Sequence, residues 1–212
     1  LYSTVPSGRP LSCRVFVAKS YKYPIARPEQ QSMWAMSASA QTDFMRGLLS
    51  RVPASSDCAI GYFSTKPTYW SDGAYQSCSA LNGHLSDAAF ISQNPFGGGT
   101  NIYASLTSVF EKMKAGSHRQ RLLIVITDGD QRSWVPKEDV IAARPSNTKI
   151  VVFRPDTYVP SAMKGIADFE IVLSEEIRSD AQAYNRVLDN FSGAIVEAID
   201  GQIFLRPAEP AS

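Results

Sequence analysis

The sequence has few of the residues that build zinc sites: three cysteines and two histidines among 212 residues. Such sites draw their ligands from closely spaced pairs of cysteine or histidine. Cys13, Cys58 and Cys78 are far apart in the chain, and the histidines complete no ligand pattern with them. The sequence therefore predicts no zinc site, and it allows at most one disulfide within the chain.

An excess of charge of either sign and a long apolar run are also missing. The 21 Lys and Arg residues nearly balance the 20 Asp and Glu residues, which leaves a formal net charge of +1. This balance gives no global attraction to nucleic acid or to an anionic membrane. No apolar run approaches the ~20 residues that cross a bilayer. We therefore expect no nucleic-acid partner and no membrane span in this sequence.

Residues of three familiar catalytic or phosphate-binding patterns are absent as well. Neither His84 nor His118 lies near a nucleophile-elbow motif, so neither Ser-His-Asp nor Cys-His catalysis is supported. The run Gly97-Gly98-Gly99 lacks the lysine that a P-loop carries after its glycines. A tight loop that caps the following helix also accounts for this glycine run.

The chain does contain a short, unbroken apolar run followed by acidic residues, in RLLIVITDGD at residues 121–130. An unbroken apolar run bounded by turn residues indicates a strand buried on both faces, as in a parallel sheet covered by helices. Asp128 then lies at the carboxyl end of the strand, where open α/β sheets bind ligands. The alternative interpretation is that Asp128-Gly129 only forms a turn.

Short apolar runs alternate with amphipathic segments along the rest of the chain. The alternation predicts βαβ units and an α/β fold with a doubly wound, mostly parallel sheet and helices on both faces. Residues 13–200 are predicted to form one domain between tails at 1–12 and 201–212. Besides the run at 121, we expect strands at 13–18, 58–64, 149–153 and 169–173, with an edge strand at 76–81. We expect helices at 29–51, 88–91, 102–113, 137–143 and 180–199, with a helical turn at 161–167.

Two linked motifs resemble those of the von Willebrand factor A domain family. GGGTNI, at residues 97–102, opens a helix, and Asp128 in VITDGD follows on the next strand. The resemblance implies a doubly wound sheet of about six strands with one antiparallel edge. It also implies that Thr100 and Asp128 lie side by side at the upper rim of the sheet, within ~7 Å by the reach of the chain.

The family uses these two residues in a metal-ion-dependent adhesion site, completed by a D-x-S-x-S loop after the first strand. Here that loop places Lys19, Tyr21 and Tyr23 at the family positions, or Ala18, Ser20 and Lys22 if the register shifts by one residue. A second possibility at 35–39 keeps both serines but also lacks the aspartate. Because Mg²⁺ prefers several oxygen ligands, we expect no tightly bound metal. Any weak Mg²⁺ would be held by Thr100 and Asp128.

A lysine ammonium can take the place of the missing cation. Lys19 is the candidate to neutralise Asp128; the alternative is a solvated loop lysine. The resemblance therefore implies a protein-binding or assembly module in which the rim contacts a protein partner without metal. The predicted ligand-binding residues are Lys19, Ser20, Tyr21, Tyr23, Thr100, Asn101, Asp128 and Asp130.

An enzymatic alternative uses the D-x-D pair Asp128 and Asp130 for metal-dependent phosphoryl or glycosyl transfer. Phosphatases with this motif usually carry it on the first strand, whereas here it follows roughly 120 residues. The non-enzymatic interpretation is therefore preferred.

Cys58 and Cys78 are predicted to form a disulfide. Cys58 lies at the start of one predicted strand and Cys78 in its presumed antiparallel neighbour. Because the cytosol keeps thiols reduced, this bond would favour an exported protein, such as a periplasmic, surface or pilus component.

Overall fold

The computed structural model describes residues 11–18, 38–52, 56–63, 66–85, 101–118, 120–127, 134–155, 161–173, 185–186 and 188–189. Within these ranges the chain alternates between strands and helices, as predicted. The elements in chain order are β1 Leu11–Ala18, α1 Ala38–Arg51, β2 Asp57–Phe63, β3 Pro67–Tyr69, β4 Gln76–Ser77, α2 Cys78–His84, α3 Ile102–Lys114, β5 Gln120–Ile126, α4 Lys137–Ala143, β6 Thr148–Pro155 and β7 Phe169–Leu173.

The strands form one mixed sheet in the order β3-β2-β1-β5-β6-β7, with β4 also paired to β2. The pairs β1–β2, β1–β5, β5–β6 and β6–β7 are parallel. Only the short strands β3 and β4 run antiparallel to β2 among the described strands. This arrangement confirms the doubly wound, mostly parallel sheet with an antiparallel edge.

Helices cover both faces of the sheet. The ring of Phe44 in α1 packs edge-on against Phe153 of β6, with centroids 5.3 Å apart. From the opposite face, Arg121 of β5 donates through Nε to the carbonyl oxygen of Met113 in α3, at 3.1 Å. Between these layers the apolar run at 122–126 is buried to 2% exposure or less. The interpretation of this run as a strand buried on both faces is therefore confirmed.

The predicted strand at 76–81 is wrong beyond its first two residues. Only Gln76 and Ser77 pair with β2, and the chain then turns into helix α2. The cause is local: the Ser77 hydroxyl oxygen accepts a hydrogen bond from the Ala80 N–H at 3.2 Å and caps the helix. Cys78 is therefore the first residue of a helix rather than part of a hairpin.

Other predicted boundaries differ by a few residues or lie outside the described ranges. Strand β1 begins at Leu11, inside the predicted tail. Helix α1 is described from Ala38, so the first part of the predicted helix at 29–51 lies outside, as does the helix at 88–91. From the predicted helix at 180–199, the structure describes residues 185, 186, 188 and 189, all helical.

The described C-terminal residues pack on α1. The side chain of Leu188 is buried, and a Cβ added at Gly47 would lie 2.7 Å from its Cδ1. Next to it, Arg51 donates through Nε to Asp189 Oδ1 at 2.8 Å. Glycine at position 47 therefore permits a close approach between α1 and this segment. No helix within the described ranges is long and apolar enough to span a membrane.

Candidate functional site at the carboxyl ends of the strands

The carboxyl ends of β1, β5 and β6 lie at one edge of the sheet because these neighbouring strands are parallel. The crossover helices return in the opposite direction, so α3 and α4 begin at the same edge. We call this edge the rim. Its described residues include Asn101, Tyr103, Thr127, Trp134 and Ala162.

Asn101 caps helix α3. Its Oδ1 accepts a hydrogen bond from the Ala104 N–H at 3.3 Å, and its carbonyl oxygen accepts one from the Ser105 N–H at 3.1 Å. The side-chain oxygen that the sequence offered as a ligand-binding group is therefore engaged in holding the helix. The helix that follows the glycine-rich loop starts where the motif predicts.

Thr127 extends the pairing of β5 and β6 beyond the end of strand β5. It is fully buried, and its N–H donates to the Phe153 carbonyl oxygen at 3.1 Å. The backbone is thus fixed immediately before Asp128. Asp128 itself lies outside the described residues, so its approach to Thr100 stays a prediction. The other predicted site residues outside the described ranges are Lys19, Ser20, Tyr21, Tyr23, Thr100 and Asp130.

Tyr103 ties the start of α3 to the turn between β6 and β7. Its hydroxyl donates to the Ala162 carbonyl oxygen at 2.8 Å. Burial raises the pKa of Tyr103, and the negative charge of Glu138 raises it further. The phenol therefore stays protonated near neutral pH and can act as the donor in this contact.

Trp134 is the exposed aromatic residue of the rim. Its side chain is 98% exposed, the largest value among the exposed large hydrophobic residues that the structure describes. The next residue, Val135, packs against the core, and Pro136 occupies the N-cap position of helix α4. The tryptophan therefore projects from a short segment that is anchored on its C-terminal side. Sequence reasoning missed it; the available signal was an aromatic residue between the TDGD loop and a helix start.

The sequence offers few ligands at the rim for a divalent cation of the adhesion-site kind. The predicted donors are the Thr100 hydroxyl and the Asp128 carboxylate, both outside the described residues, and the loop after β1 has Lys19, or Ala18 in the shifted register, where the family has a carboxylate. Two oxygen donors leave most of an octahedral Mg²⁺ shell to water. Among the described residues, no group of three or more His, Cys, Asp or Glu side chains could hold a metal.

A second group of polar residues is buried on the α3 face of the sheet, well away from the rim. We call Arg14, Asp57, Gly73, Tyr75 and His118 the buried polar cluster. Arg14, on the central strand β1, is 1% exposed. Its Nη2 donates to the Gly73 carbonyl oxygen at 2.9 Å, and its guanidinium lies 4.6 Å from the centroid of the Tyr75 ring.

The remaining cluster members continue this stack toward a carboxylate. The rings of Tyr75 and His118 lie 4.8 Å apart, and His118 Nε2 lies 3.0 Å from Asp57 Oδ2. The side chains of His118 and Asp57 are 9% and 8% exposed. A cation, a phenol ring, an imidazole and a carboxylate therefore follow one another with little exposure to water. Because these side chains lie mostly inside the fold, the cluster offers little surface for binding.

The turn at Trp70–Gly73 is held by two cations. Ser71, Asp72 and Gly73 have φ values of 48, 53 and 78°, three successive residues in the left-handed region. Lys112 Nζ donates to the Asp72 carbonyl oxygen at 2.8 Å, next to the contact that Arg14 makes with Gly73. Glycine and aspartate adopt this region more readily than serine, so these contacts hold a turn in which Ser71 is the least suited residue.

A disulfide joins Cys58 of β2 to Cys78 at the start of α2, with Cα atoms 4.7 Å apart. This is the pair predicted from the sequence, although Cys78 lies in a helix. Cys13 is free and fully buried. Burial raises the pKa of its thiol to about 12, and the positive charge of Arg14 opposes this only in part.

Comparison with known proteins relates the chain to others through its fold. No protein-family model matches the sequence, and no curated protein matches it. Among solved structures, a von Willebrand factor type A protein from Catenulispora acidiphila is similar with a TM-score of 0.60 at 14% identity, over 88% of this chain and 43% of that one. The minor pilin PilB from Streptococcus sanguinis gives 0.57 at 10% identity, over 93% and 64%.

A third similar structure is the pilus adhesin SpaC from Lactobacillus rhamnosus GG, with a TM-score of 0.58 at 13% identity, over 91% of this chain and 31% of that one. This chain spans less than two thirds of each of the three proteins. The sheet order, the antiparallel edge and these likenesses agree. The chain has the fold of a von Willebrand factor A domain.

Proposed function

We propose that the chain is a non-enzymatic protein-binding module that contacts a protein partner through the rim, without a tightly bound metal. The observation that carries this proposal is the 98% exposure of Trp134 at the rim. Tryptophan is enriched among the residues that dominate binding energy at protein interfaces. A fully exposed tryptophan gains more from burial against a partner than any other side chain described at this edge.

The surroundings of Trp134 support a prearranged surface. Its neighbour Val135 packs on the core, Thr127 is hydrogen-bonded to β6, and the Tyr103–Ala162 contact joins α3 to the following turn. A rigid surface loses little conformational entropy when it binds. The loop with Lys19, Tyr21 and Tyr23 leaves the neighbouring strand β1 at the same edge, and it would extend the surface with tyrosines, which are enriched in interface cores.

The proposed setting is an exported assembly or adhesion complex. Two of the similar structures are a minor pilin and a pilus adhesin, and both are proteins of surface assemblies by their names. The Cys58–Cys78 disulfide favours an oxidising compartment. We propose by this reasoning that the chain acts outside the cytosol and that Lys19 replaces the family's cation beside Asp128.

Replacing Trp134 by alanine is expected to weaken partner binding by at least about 30-fold, the equivalent of about 2 kcal/mol for a hot-spot residue. A partner would be captured from extracts of the producing cells with the wild-type chain, and its affinity for each variant would then be measured by calorimetry. The thermal unfolding midpoint should stay unchanged because the side chain is almost fully exposed.

The matched control is Ile141→Ala, an exposed apolar residue on α4 with 46% exposure. This variant should bind the partner as tightly as the wild type. Equal affinities for the wild type and Trp134→Ala would contradict binding through the rim.

Calorimetric titration with Mg²⁺ or Mn²⁺ is expected to show no site tighter than about 1 mM, roughly −4 kcal/mol. The physical reason is that neither register of the loop after β1 supplies a carboxylate, which leaves Asp128 and the Thr100 hydroxyl as the matching donors. A tighter site that disappears in Asp128→Ala would show that the rim still binds its ion. A tighter site that persists in Asp128→Ala would lie elsewhere and would leave the rim without metal.

A further inference from the structure

The three cysteines meet on one face of the sheet. Cys13 of β1 and Cys58 of β2 are register partners in adjacent parallel strands, so their side chains point to the same side. Both are fully buried. Cys78, at the start of α2, approaches this face and is bonded to Cys58.

Cys58 therefore has two sulfur neighbours and uses one of them. Neighbouring strands lie about 4.8 Å apart, and a disulfide spans Cα distances of about 4.4 to 6.8 Å. The spacing of β1 and β2 thus lies within the reach of a Cys13–Cys58 bond. The existing Cys58–Cys78 bond, with Cα atoms 4.7 Å apart, uses the other neighbour.

We propose that Cys13 is the internal nucleophile of a disulfide latch, which moves the bond from Cys58–Cys78 to Cys13–Cys58 when the end of the β1–β2 ladder opens. The Cys13 thiol loses its proton and the thiolate attacks the Cys58 sulfur. The bond between Cys13 and Cys58 forms, and the bond between Cys58 and Cys78 breaks. Cys78 leaves as a thiolate and takes up a proton. The number of disulfides and of thiols is unchanged, so no oxidant or reductant is needed.

Two features prevent the disulfide exchange while β1 and β2 remain paired. The thiolate is the attacking species, and burial raises the pKa of Cys13 to about 12, which leaves about one thiolate in 10⁵ at pH 7. Cys13 is also inaccessible to water in the closed ladder. Local opening removes both restraints at once because it hydrates the thiol.

The transfer changes what the disulfide holds. In the starting state the bond ties α2 to the sheet, and the segment between them contains β3 and β4. After transfer the bond joins β1 to β2, and the segment from Pro67 to His84 is held to β2 by strands of only three and two residues. The transfer therefore removes the covalent tie of this edge, which keeps the hydrogen bonds of Gly73 with Arg14 and of Asp72 with Lys112, and it places the cross-link between β1 and β2 instead.

The test is disulfide mapping of the full chain at pH 8.5, at protein concentrations too low for dimers, over urea concentrations below the unfolding transition. Samples are quenched with acid at successive times. Free thiols are then labelled by a short pulse of iodoacetamide at alkaline pH, and the peptides are identified without reduction. We expect label to move from Cys13 to Cys78 with time, a Cys13–Cys58 peptide to appear, and one thiol per chain throughout.

The matched control is Cys13→Ala, which keeps the original bond and lacks the nucleophile, and Cys13→Ser serves if the alanine variant folds poorly. Labelling of Cys78 should be lost completely in either variant. The proposal is overturned if, below the transition, only Cys13 becomes labelled or Cys78 is never labelled. A dominant Cys13–Cys78 bond, or a bond found only between chains, would overturn it as well.

Discussion

The double variant Cys58→Ala/Cys78→Ala is expected to lose about 3 kcal/mol of unfolding free energy. The bond links residues 20 positions apart. In the chain-entropy account, a cross-link over such a loop restricts the unfolded chain and thereby favours the folded one. Urea denaturation followed by far-ultraviolet circular dichroism measures the change.

The slope of unfolding free energy against urea concentration provides a second measurement on the same variant. An unfolded chain without the cross-link exposes more surface, so the slope should rise while the midpoint falls. Wild-type protein in excess reductant is the control and should show the same loss, since both lack the bond. A loss below about 1 kcal/mol in both would mean that the bond mainly replaces contacts that the fold makes without it.

Asp57→Ala is expected to destabilise the protein by about 3 kcal/mol, the scale for removing one partner of a buried pair. The change leaves the buried His118 Nε2 without the acceptor that lies 3.0 Å away in the wild type. It also removes the carboxylate at the end of the stack that starts at Arg14. The positive charge of Arg14 remains, because an arginine side chain does not lose its proton in a protein. Thermal and urea unfolding of the two proteins measure the difference.

Asp72→Asn is the matched control for this prediction, because asparagine removes the charge and still adopts the positive φ of 53° at this position. Asp72 also pairs with a cation, Lys112, at 3.4 Å, but its side chain is fully exposed. Water screens such a pair, so no measurable loss is expected. If both aspartate variants lose equal stability, burial is not what gives the Asp57 contact its strength.

The sheet could be predicted from the sequence because its strands are short, unbroken apolar runs. The run at 122–126 and the face of α3 with Ile102, Leu106 and Val109 each specify one element and its buried side. The pattern failed at 76–81, where Ser77, the second residue of the strand, caps a helix that begins at Cys78. Such a cap is a single hydrogen bond, and the spacing of apolar residues does not reveal it.

The buried polar cluster could not be predicted for a different reason. Arg14 stands in an apolar strand and appears there as an exception, and its partners Gly73 and Tyr75 come from about sixty residues later in the chain. Only the folded sheet brings these groups together. At the rim, the motif predicted the capped start of α3, which the structure shows at Asn101. Trp134 carries no motif, and its exposure follows from how Val135 packs on the core.

The position of β1 in the middle of the sheet has a consequence for the order of folding during synthesis. β1 pairs with β2 on one side. On its other side β1 pairs with β5, whose first residue, Gln120, is the partner of Leu11 and is synthesised much later. As the chain emerges from the ribosome, β1 and β2 can join early, while the second edge of β1 stays unpaired until the chain has grown past residue 126. Unpaired edges recruit other chains. A chain arrested between α2 and β5 is therefore the form most exposed to aggregation, and rapid elongation through this interval protects the domain.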